Sequence, residues 1–253
     1  QYRGTKKTLK QVGEELGVAY VLEGSVQRAG NKVRVTGQLI RAATDEHLWA
    51  QNYDRDLTDI FAIQSELAQA IAGELKAAIS PQEKKLIENR PTENIAAYDL
   101  YLRDRALRNS AQFSRDDRIT LLKAAVQLDP NFAAAWAMLA NVYSNDARND
   151  YSVSRASKVT SARAAIENAV RLAPDSTDIL IAQARYLIRI EKDYSQAIPL
   201  LERALSQSPN EPTAFASLSE IARAQGRLSG ALSHTRKAIE LEPGNLIEIG
   251  MAA

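Results

Sequence analysis

The sequence predicts an α+β region, made of a helix, a three-stranded antiparallel meander and a second helix, followed by an all-α superhelix of repeated helix pairs. Apolar and polar residues alternate around Val33 and Val35, as in half-buried strands. A proline then recurs at the same place in four similar segments, which is typical of a helical repeat array. The predicted boundaries are 1–80 for the α+β region, 81–94 for a linker and 95–253 for the array.

The composition excludes several functions. Of the 253 residues, 45% are hydrophobic and 25% are charged, which is typical of a globular, helix-rich chain. The net charge of +1 provides no long-range field for nucleic acid, so we expect no nucleic-acid partner. The absence of cysteine excludes disulfides and thiolate zinc sites but leaves the compartment open, and we favour the cytoplasm over the periplasm. No apolar run approaches the ~18–20 residues of a membrane span.

The α+β region begins with a short amphipathic helix. Leu9, Val12 and Leu16 share one helical face, and Gly17 follows where a left-handed C-cap would lie. The segments AYVLEGSVQR and KVRVTGQLIRA are rich in β-forming residues, and AGNK between them predicts a hairpin turn. A second turn, AATDE, leads into a third strand, HLWAQNY.

A second helix is predicted directly after the third strand. Asp56 or Thr58 is placed to cap this helix, and Pro81 ends it. Trp49 and Tyr53 alternate onto one face of the strand, so we expect them to pack the sheet against the helix. The apolar stripe of the helix consists of Ile60, Ile63, Leu67, Ile71, Leu75 and Ile79.

Part of this region resembles a known family. The segment from Leu16 to Ile71, and most specifically YVLEGSV, HLWA and YDRDLTDIFAIQ, resembles the second half of the TolB amino-terminal-like domain. Such domains resemble accessory regions fused to class III adenylate or guanylate cyclases, winged-helix transcription regulators or protein kinases of bacteria. The resemblance implies a first strand and helix ahead of Gln1, so we expect this chain to be a piece of a longer protein.

A sheet of three strands leaves an outer edge with unpaired backbone groups, and proteins rarely leave such an edge bare. We therefore expect an additional strand, supplied either by the parent chain or by a second copy of this chain. The second alternative predicts a homodimer that forms through the open sheet edge.

Four similar segments, AVQLDPN, AVRLAPD, ALSQSPN and AIELEPG, contain Pro130, Pro174, Pro209 and Pro243. The last two prolines are 34 residues apart, which is the tetratricopeptide period, and the array resembles tetratricopeptide repeat (TPR) proteins. The predicted repeats are 95–130, 131–174, 175–209 and 210–243, with the start of a fifth at Ile247 and Ile249.

In a TPR superhelix, the first helices of successive repeats line a concave groove, chiefly at positions 2, 5, 9 and 12–13 of each repeat. The repeat register places nine residues there, namely Asp99, Arg103, Asn141, Ile181, Arg185, Ile188, Arg189, Glu220 and Arg223. Four of these are arginines, which suit the bidentate binding of carboxylates. We therefore expect a protein or extended peptide with acidic side chains as the partner. The alternative is a solvated face with no fixed ligand.

The residues show no pattern for catalysis or metal binding. His47 and His234 are the only histidines, and Glu46 cannot converge with His47 on one ion because adjacent strand side chains point to opposite faces. The sequence has no GxxxxGK[ST], HExxH or GxSxG motif. We expect no cofactor and no enzymatic activity in this chain itself.

These observations favour a non-catalytic interaction scaffold or sensor region of a bacterial signalling protein. Two alternatives rest on the resemblance alone. One is the regulatory region of an adenylate or guanylate cyclase whose catalytic domain lies outside this chain. The other is the effector region of a winged-helix transcription regulator.

Overall fold

The computed structural model describes residues 6–77, 79, 84, 87–107, 114–148 and 150–243. The chain falls into two compact units, which we name the sheet unit (1–90) and the helical unit (91–253). The sheet unit contains a three-stranded antiparallel sheet with helices, and the helical unit is built from helix pairs, so the predicted fold class is confirmed. The expected start of a fifth repeat at Ile247 and Ile249 lies outside the described residues.

The sheet unit follows the predicted order of elements. Its strands lie in the order β1-β2-β3, and both neighbouring pairs are antiparallel. The hairpin is a two-residue turn in which Ala29 pairs with Lys32, and Gly30 has a φ of +59°, which glycine adopts without steric cost. The elements are α1 (Leu9–Leu16), β1 (Tyr20–Ala29), β2 (Lys32–Arg41), β3 (Glu46–Asp56), a 3₁₀ turn (Leu57–Asp59) and α2 (Ile60–Glu74).

A small apolar core joins the sheet to α2. Val33, Val35, Tyr53 and Ile63 are buried in it, and Trp49 packs against them. The β-strand residues of this core alternate with exposed ones, as the period of two requires. The prediction that Trp49 and Tyr53 pack the sheet against the following helix is confirmed.

The predicted continuation of the second helix to Ile79 is wrong, because α2 ends at Glu74. Lys76 has a φ of +52°, and its N–H donates to the carbonyl oxygen of Gly73. This left-handed residue satisfies a terminal carbonyl and turns the chain out of the helix before the apolar stripe is complete. Pro81, the expected end, lies outside the described residues.

The predicted caps of this helix are also wrong. A 3₁₀ turn separates β3 from α2, so the residue that precedes α2 is Asp59, and it makes no side-chain cap hydrogen bond. Asp56 instead forms an ion pair of 2.9 Å with Lys32, its partner residue on the neighbouring strand β2. Asp56 stands at the N-cap position of the 3₁₀ turn rather than of α2 and makes no side-chain cap hydrogen bond, and Thr58 lies within that turn.

β1 carries an uncovered apolar stripe. In the described part of the chain, β1 pairs with β2 only, so its outer edge is open. Leu22 and Val26 lie opposite the buried Leu39 and Val35 of β2, on the face that carries the core. Leu22 is nevertheless 50% exposed and Val26 is 67% exposed. The sheet unit therefore presents both a backbone edge and an apolar face at β1.

The helical unit consists, in its described residues, of four consecutive helix pairs. The two helices of each pair contact each other, and the first helices of the second, third and fourth pairs also contact one another in order. This stacking is the arrangement that the repeated prolines predict. The pairs are α3 (Ile95–Leu107) with α4 (Arg115–Leu128), α5 (Ala133–Arg148) with α6 (Arg155–Leu172), α7 (Thr177–Tyr186) with α8 (Tyr194–Gln207), and α9 (Pro212–Ala224) with α10 (Leu228–Leu241).

Small residues allow three of these pairs to pack closely. The second helices carry a buried alanine at equivalent positions ahead of the repeat prolines, namely Ala162, Ala197 and Ala231. The Ser219 hydroxyl donates to the Ala231 carbonyl oxygen at 2.9 Å, which shows how near the two helix backbones lie. Close approach of this kind is possible only where the side chains between the helices are short.

The first pair replaces these small residues with an ion pair. Asp104 of α3 and Arg118 of α4 form two hydrogen bonds, with Nε 2.7 Å from Oδ1 and Nη2 3.0 Å from Oδ2. Asp104 is fully buried. Arg118 stands the same distance before Pro130 as Ala162 does before Pro174, so a bidentate ion pair holds α3 to α4 where alanines hold the other pairs.

Candidate functional site

A groove of about 310 Å³ crosses the helical unit. It is lined mainly by α3, α5, α7 and the start of α9, which are the first helices of the four pairs, and also by Arg118 of α4 and by Glu242, which follows α10. On α5, Ala137, Asn141 and Asn145 face the groove because a spacing of four residues returns to the same helical face. The first helices thus supply the groove, as expected for a stack of such repeats.

Three of the nine predicted groove residues line this groove, namely Asn141, Ile181 and Arg185. Ile181 and Arg185 are both buried in its wall. The Oδ1 atom of Asn141 is buried and accepts no hydrogen bond from the residues that the structure describes. A buried amide oxygen in this state is a ready acceptor for an N–H donor.

Two more predicted residues, Arg189 and Glu220, meet outside the groove lining together with Arg148. We name these three residues the junction cluster. Nη1 of Arg148 donates to Oε1 of Glu220 at 2.9 Å, and Nη2 of Arg189 donates to Oε2 at 3.3 Å. Arg148 ends α5, Glu220 belongs to α9, and Arg189 lies in a π-helical turn, Leu187–Glu191, that continues α7. The cluster therefore joins three helix pairs.

The charges of the junction cluster perturb one another. Burial, together with the neighbouring Arg185 and Arg148 guanidinium groups, lowers the pKa of Arg189 to about 9. Burial raises the pKa of Glu220, but the guanidinium groups of Arg189, Arg148 and Arg185 outweigh it and hold that pKa below its ordinary value. Arg189 and Glu220 therefore both remain charged at neutral pH.

The other four predicted residues lie elsewhere. Asp99 and Arg103 form an exposed ion pair of 2.8 Å with each other on α3 and do not line the groove. Ile188 is 2% exposed and belongs to the core of the third and fourth pairs. Arg223 is half-buried near the end of α9. The structure therefore divides the nine residues among the groove, the junction cluster, the core and an outer face.

The groove also contains residues that the sequence interpretation missed. Tyr101 and Arg105 supply the α3 wall instead of Asp99 and Arg103, a shift of two residues along the helix. Tyr101 packs against Phe132 with the ring centroids 5.1 Å apart, and burial raises the pKa of Tyr101 to about 12. The aromatic pair Tyr98 and Tyr101 is the signal that could have set the correct register, because such rings belong on the buried side.

A second cavity, of about 550 Å³, lies between α6, α7 and α8. At its rim, Arg163 donates to Glu191 at 2.9 Å and to the Tyr186 hydroxyl at 3.1 Å. The Tyr186 hydroxyl in turn donates to Glu191 at 2.6 Å. These three bonds link the side chains to one another and hold the π-helical turn against α6.

Within the residues that the structure describes, neither unit shows features of a metal site or a membrane span. Among the described residues, no three His, Cys, Asp or Glu side chains are grouped so that they could hold a metal ion. His47 is exposed on β3. In the described part of the chain, every helix is too short or too polar to cross a bilayer.

Comparison with known proteins adds one family and one curated relative. The tetratricopeptide repeat family matches residues 189–252. A protein named putative adenylate cyclase 3, from Rhizobium meliloti (strain 1021), is 34% identical over 205 residues. The match covers 80% of this chain, which spans about a third, 34%, of that protein's length.

Two solved structures match at low identity. A thermophilic TPR protein from Thermus thermophilus is 20% identical with a TM-score of 0.49, over 77% of this chain and 98% of that one. MamA from Desulfovibrio magneticus RS-1, residue 41 to the end, is 17% identical with a TM-score of 0.39, over 76% and 98%. The family match and the stacked helix pairs lead to one conclusion: residues 189–252 match the tetratricopeptide repeat family, and the helical unit has a TPR-like fold of stacked helix pairs.

Proposed function

We propose that this chain is a non-catalytic interaction scaffold of a bacterial signalling protein, and that its groove binds an extended peptide with acidic residues. The observation that carries the proposal is the groove itself, which has a buried amide acceptor, Asn141, beside a buried arginine, Arg185. Tetratricopeptide repeats suit this role because their stacked first helices form an elongated surface.

An extended peptide fits the chemistry of the groove. Its backbone N–H groups have no partners of their own, so one of them can donate to Oδ1 of Asn141. Its carboxylates can pair with Arg105 and Arg185, which come from different helix pairs, whereas Asp178, Glu211 and Glu242 of the same lining repel acidic side chains and so restrict where they can lie. The ring of Tyr101 offers an apolar contact between them.

Selection of random peptides displayed on phage against the full chain tests this proposal. We expect enrichment of peptides that carry Asp or Glu, and loss of that enrichment in the Arg185→Glu variant. Arg236→Glu is the matched control, because it changes the net charge equally at an exposed position of α10. Equal enrichment in the two variants would show that the groove is not the binding surface.

The relative named putative adenylate cyclase 3 favours a second, compatible candidate. In it, the chain is the regulatory region of a nucleotide cyclase whose catalytic domain lies outside these residues. The resemblance of the segment from Leu16 to Ile71 to the TolB amino-terminal-like domain supports the same context. Sequencing the surrounding reading frame tests it: a class III cyclase domain supports the candidate, whereas a winged helix or a protein kinase domain replaces it.

We also propose that the open edge of β1 pairs with a second copy of this chain. The support is the unpaired edge together with the exposed Leu22 and Val26 beside it. Light scattering over a dilution series should give a mass near twice 27.8 kDa, and Val26→Lys should return the chain to a monomer. A monomer at every concentration of the unchanged chain would contradict the proposal.

A further inference from the structure

The junction cluster contains more hydrogen-bond donors than its acceptor can use. Arg148 and Arg189 share the single carboxylate of Glu220. Nε and Nη1 of Arg189 make no hydrogen bond to any residue in the described part of the chain, although Arg189 is only 7% exposed. Buried guanidinium groups normally use their donors fully, because desolvation without compensation is costly. Two strong donors therefore remain available at this position.

The geometry of the guanidinium group decides what these donors can bind. The group is planar and offers two edges, one formed by Nε and Nη2 and the other by Nη1 and Nη2. Glu220 accepts a hydrogen bond from Nη2 of Arg189 and can therefore occupy only one of these two edges. The other edge matches the two oxygens of a carboxylate.

The surrounding charge selects the same kind of ligand. Two guanidinium groups face one carboxylate, and Arg185 adds positive potential nearby. Arg148 and Glu220 are partly exposed, whereas Nε and Nη1 of Arg189 are covered, so a ligand reaches these donors only when Glu220 moves aside. An added carboxylate would then meet an unused donor edge and an excess of positive charge.

We propose that the junction cluster binds a carboxylate of an acidic partner, and that Glu220 is the internal carboxylate with which this ligand competes for Arg189 and Arg148. The inference rests on the proposed binding of an acidic partner. It adds a second contact point, formed by residues that do not line the groove. Removal of the internal competitor should strengthen binding, whereas removal of the donor should weaken it.

Fluorescence anisotropy with fluorescein-labelled hexaglutamate tests the inference on the full chain at low ionic strength. We expect Arg189→Gln to weaken binding roughly tenfold, since a hydrogen-bonded charge is lost, and Glu220→Gln to tighten it. Arg189→Lys keeps the charge but not the planar edges, so its affinity for the probe should lie between that of Arg189→Gln and that of the unchanged chain. Arg236→Gln, on the exposed face of α10, is the matched control and should bind like the unchanged chain. Circular dichroism melting of each variant verifies that it folds.

The outcomes separate this site from the groove. Loss of binding in Arg185→Gln and Asn141→Ala with no change in Arg189→Gln would overturn the junction site and leave the proposed function standing. Loss of probe binding in Arg189→Gln, with binding unchanged in Arg185→Gln and Asn141→Ala, would support the junction site and count against the groove. Weaker binding in both Arg189→Gln and Glu220→Gln would overturn the competition. Displacement of the probe by inorganic phosphate but not by succinate, at equal ionic strength, would overturn a carboxylate as the ligand.

Discussion

Two buried charge clusters in the described part of the helical unit differ in how fully they are bonded. Asp104 and Arg118 lie within one helix pair and satisfy each other through two hydrogen bonds. In the junction cluster, Arg148 and Arg189 join different pairs and share Glu220, and Arg189 makes one long bond. Both oxygens of Asp104 and the Nε–Nη2 edge of Arg118 are used within this pair, so that edge is structural, although Arg118 keeps its Nη1 donors and lines the groove. An unsaturated cluster keeps binding capacity at some cost in stability.

The largest effect is expected from breaking the saturated pair. Asp104→Ala leaves Arg118 without its partner in a largely buried position, which should lower the free energy of unfolding by about 3–5 kcal/mol. Urea unfolding measures this loss. The double variant Asp104→Leu with Arg118→Met should recover most of it, because both charges are then removed. A double variant as unstable as the single one would show that the ion pair is not the cause.

A pH dependence should distinguish the junction cluster from ordinary surface charges. The pKa of Glu220 is lowered in the folded chain from an ordinary value of 4.5, so its contribution to stability is fully present above 4.5. That contribution is lost as the pH falls from 4.5 through the lower folded pKa. Urea unfolding between neutral and acidic pH should therefore show a shallower acid loss in Glu220→Gln. An identical pH profile would contradict the ionised pair.

A smaller effect is expected when the unsaturated arginine is removed. Arg189→Met leaves Glu220 bonded to Arg148 and removes buried donors that are not fully used. The free energy of unfolding should therefore change by no more than about 1 kcal/mol, in either direction. Arg118→Met is the matched comparison and should be far more destabilising, since it strands Asp104. If Arg189→Met and Arg118→Met lowered the free energy of unfolding equally in urea, the two clusters would not differ as proposed.

The smallest effect is expected at an exposed ion pair of the sheet unit. Arg34 and Asp54 form two hydrogen bonds across β2 and β3, but both side chains are more than half exposed. Solvent screens such pairs, so Asp54→Asn should leave the thermal midpoint unchanged within error. A clear drop in that midpoint would show that bonding geometry outweighs burial in this protein.

The strands, the hairpin and the repeat pairs could be predicted from the sequence because each has a local signal. Alternation around Val33 and Val35 marks a strand, Gly30 allows the turn, and each repeat proline marks the boundary between pairs. The end of α2 could not be predicted, because Lys76 adopts a left-handed conformation that usually belongs to glycine. The sequence pattern showed apolar residues beyond that point and so suggested a longer helix.

The site was only partly predictable, for two physical reasons. The register of the first pair was misplaced because Asp104 and Arg118 occupy positions where the other pairs carry small residues. Arg148 was missed because it ends α5, where the second repeat carries additional residues outside the usual count. Asn141 and Arg185 were placed correctly in the groove lining because their pairs follow the proline register closely. Their role in binding remains a prediction.

The Nε–H resonances of the arginine side chains, followed by two-dimensional NMR during a hexaglutamate titration, compare the two clusters in one experiment. Loss of a signal in Arg189→Lys and in Arg118→Lys assigns the two resonances. The Arg189 signal should shift and exchange more slowly with water as the peptide binds, while the Arg118 signal, already bonded to Asp104, should stay in place. A stationary Arg189 signal at saturating peptide, or equal shifts of both signals, would contradict the assignment of binding capacity to the junction cluster.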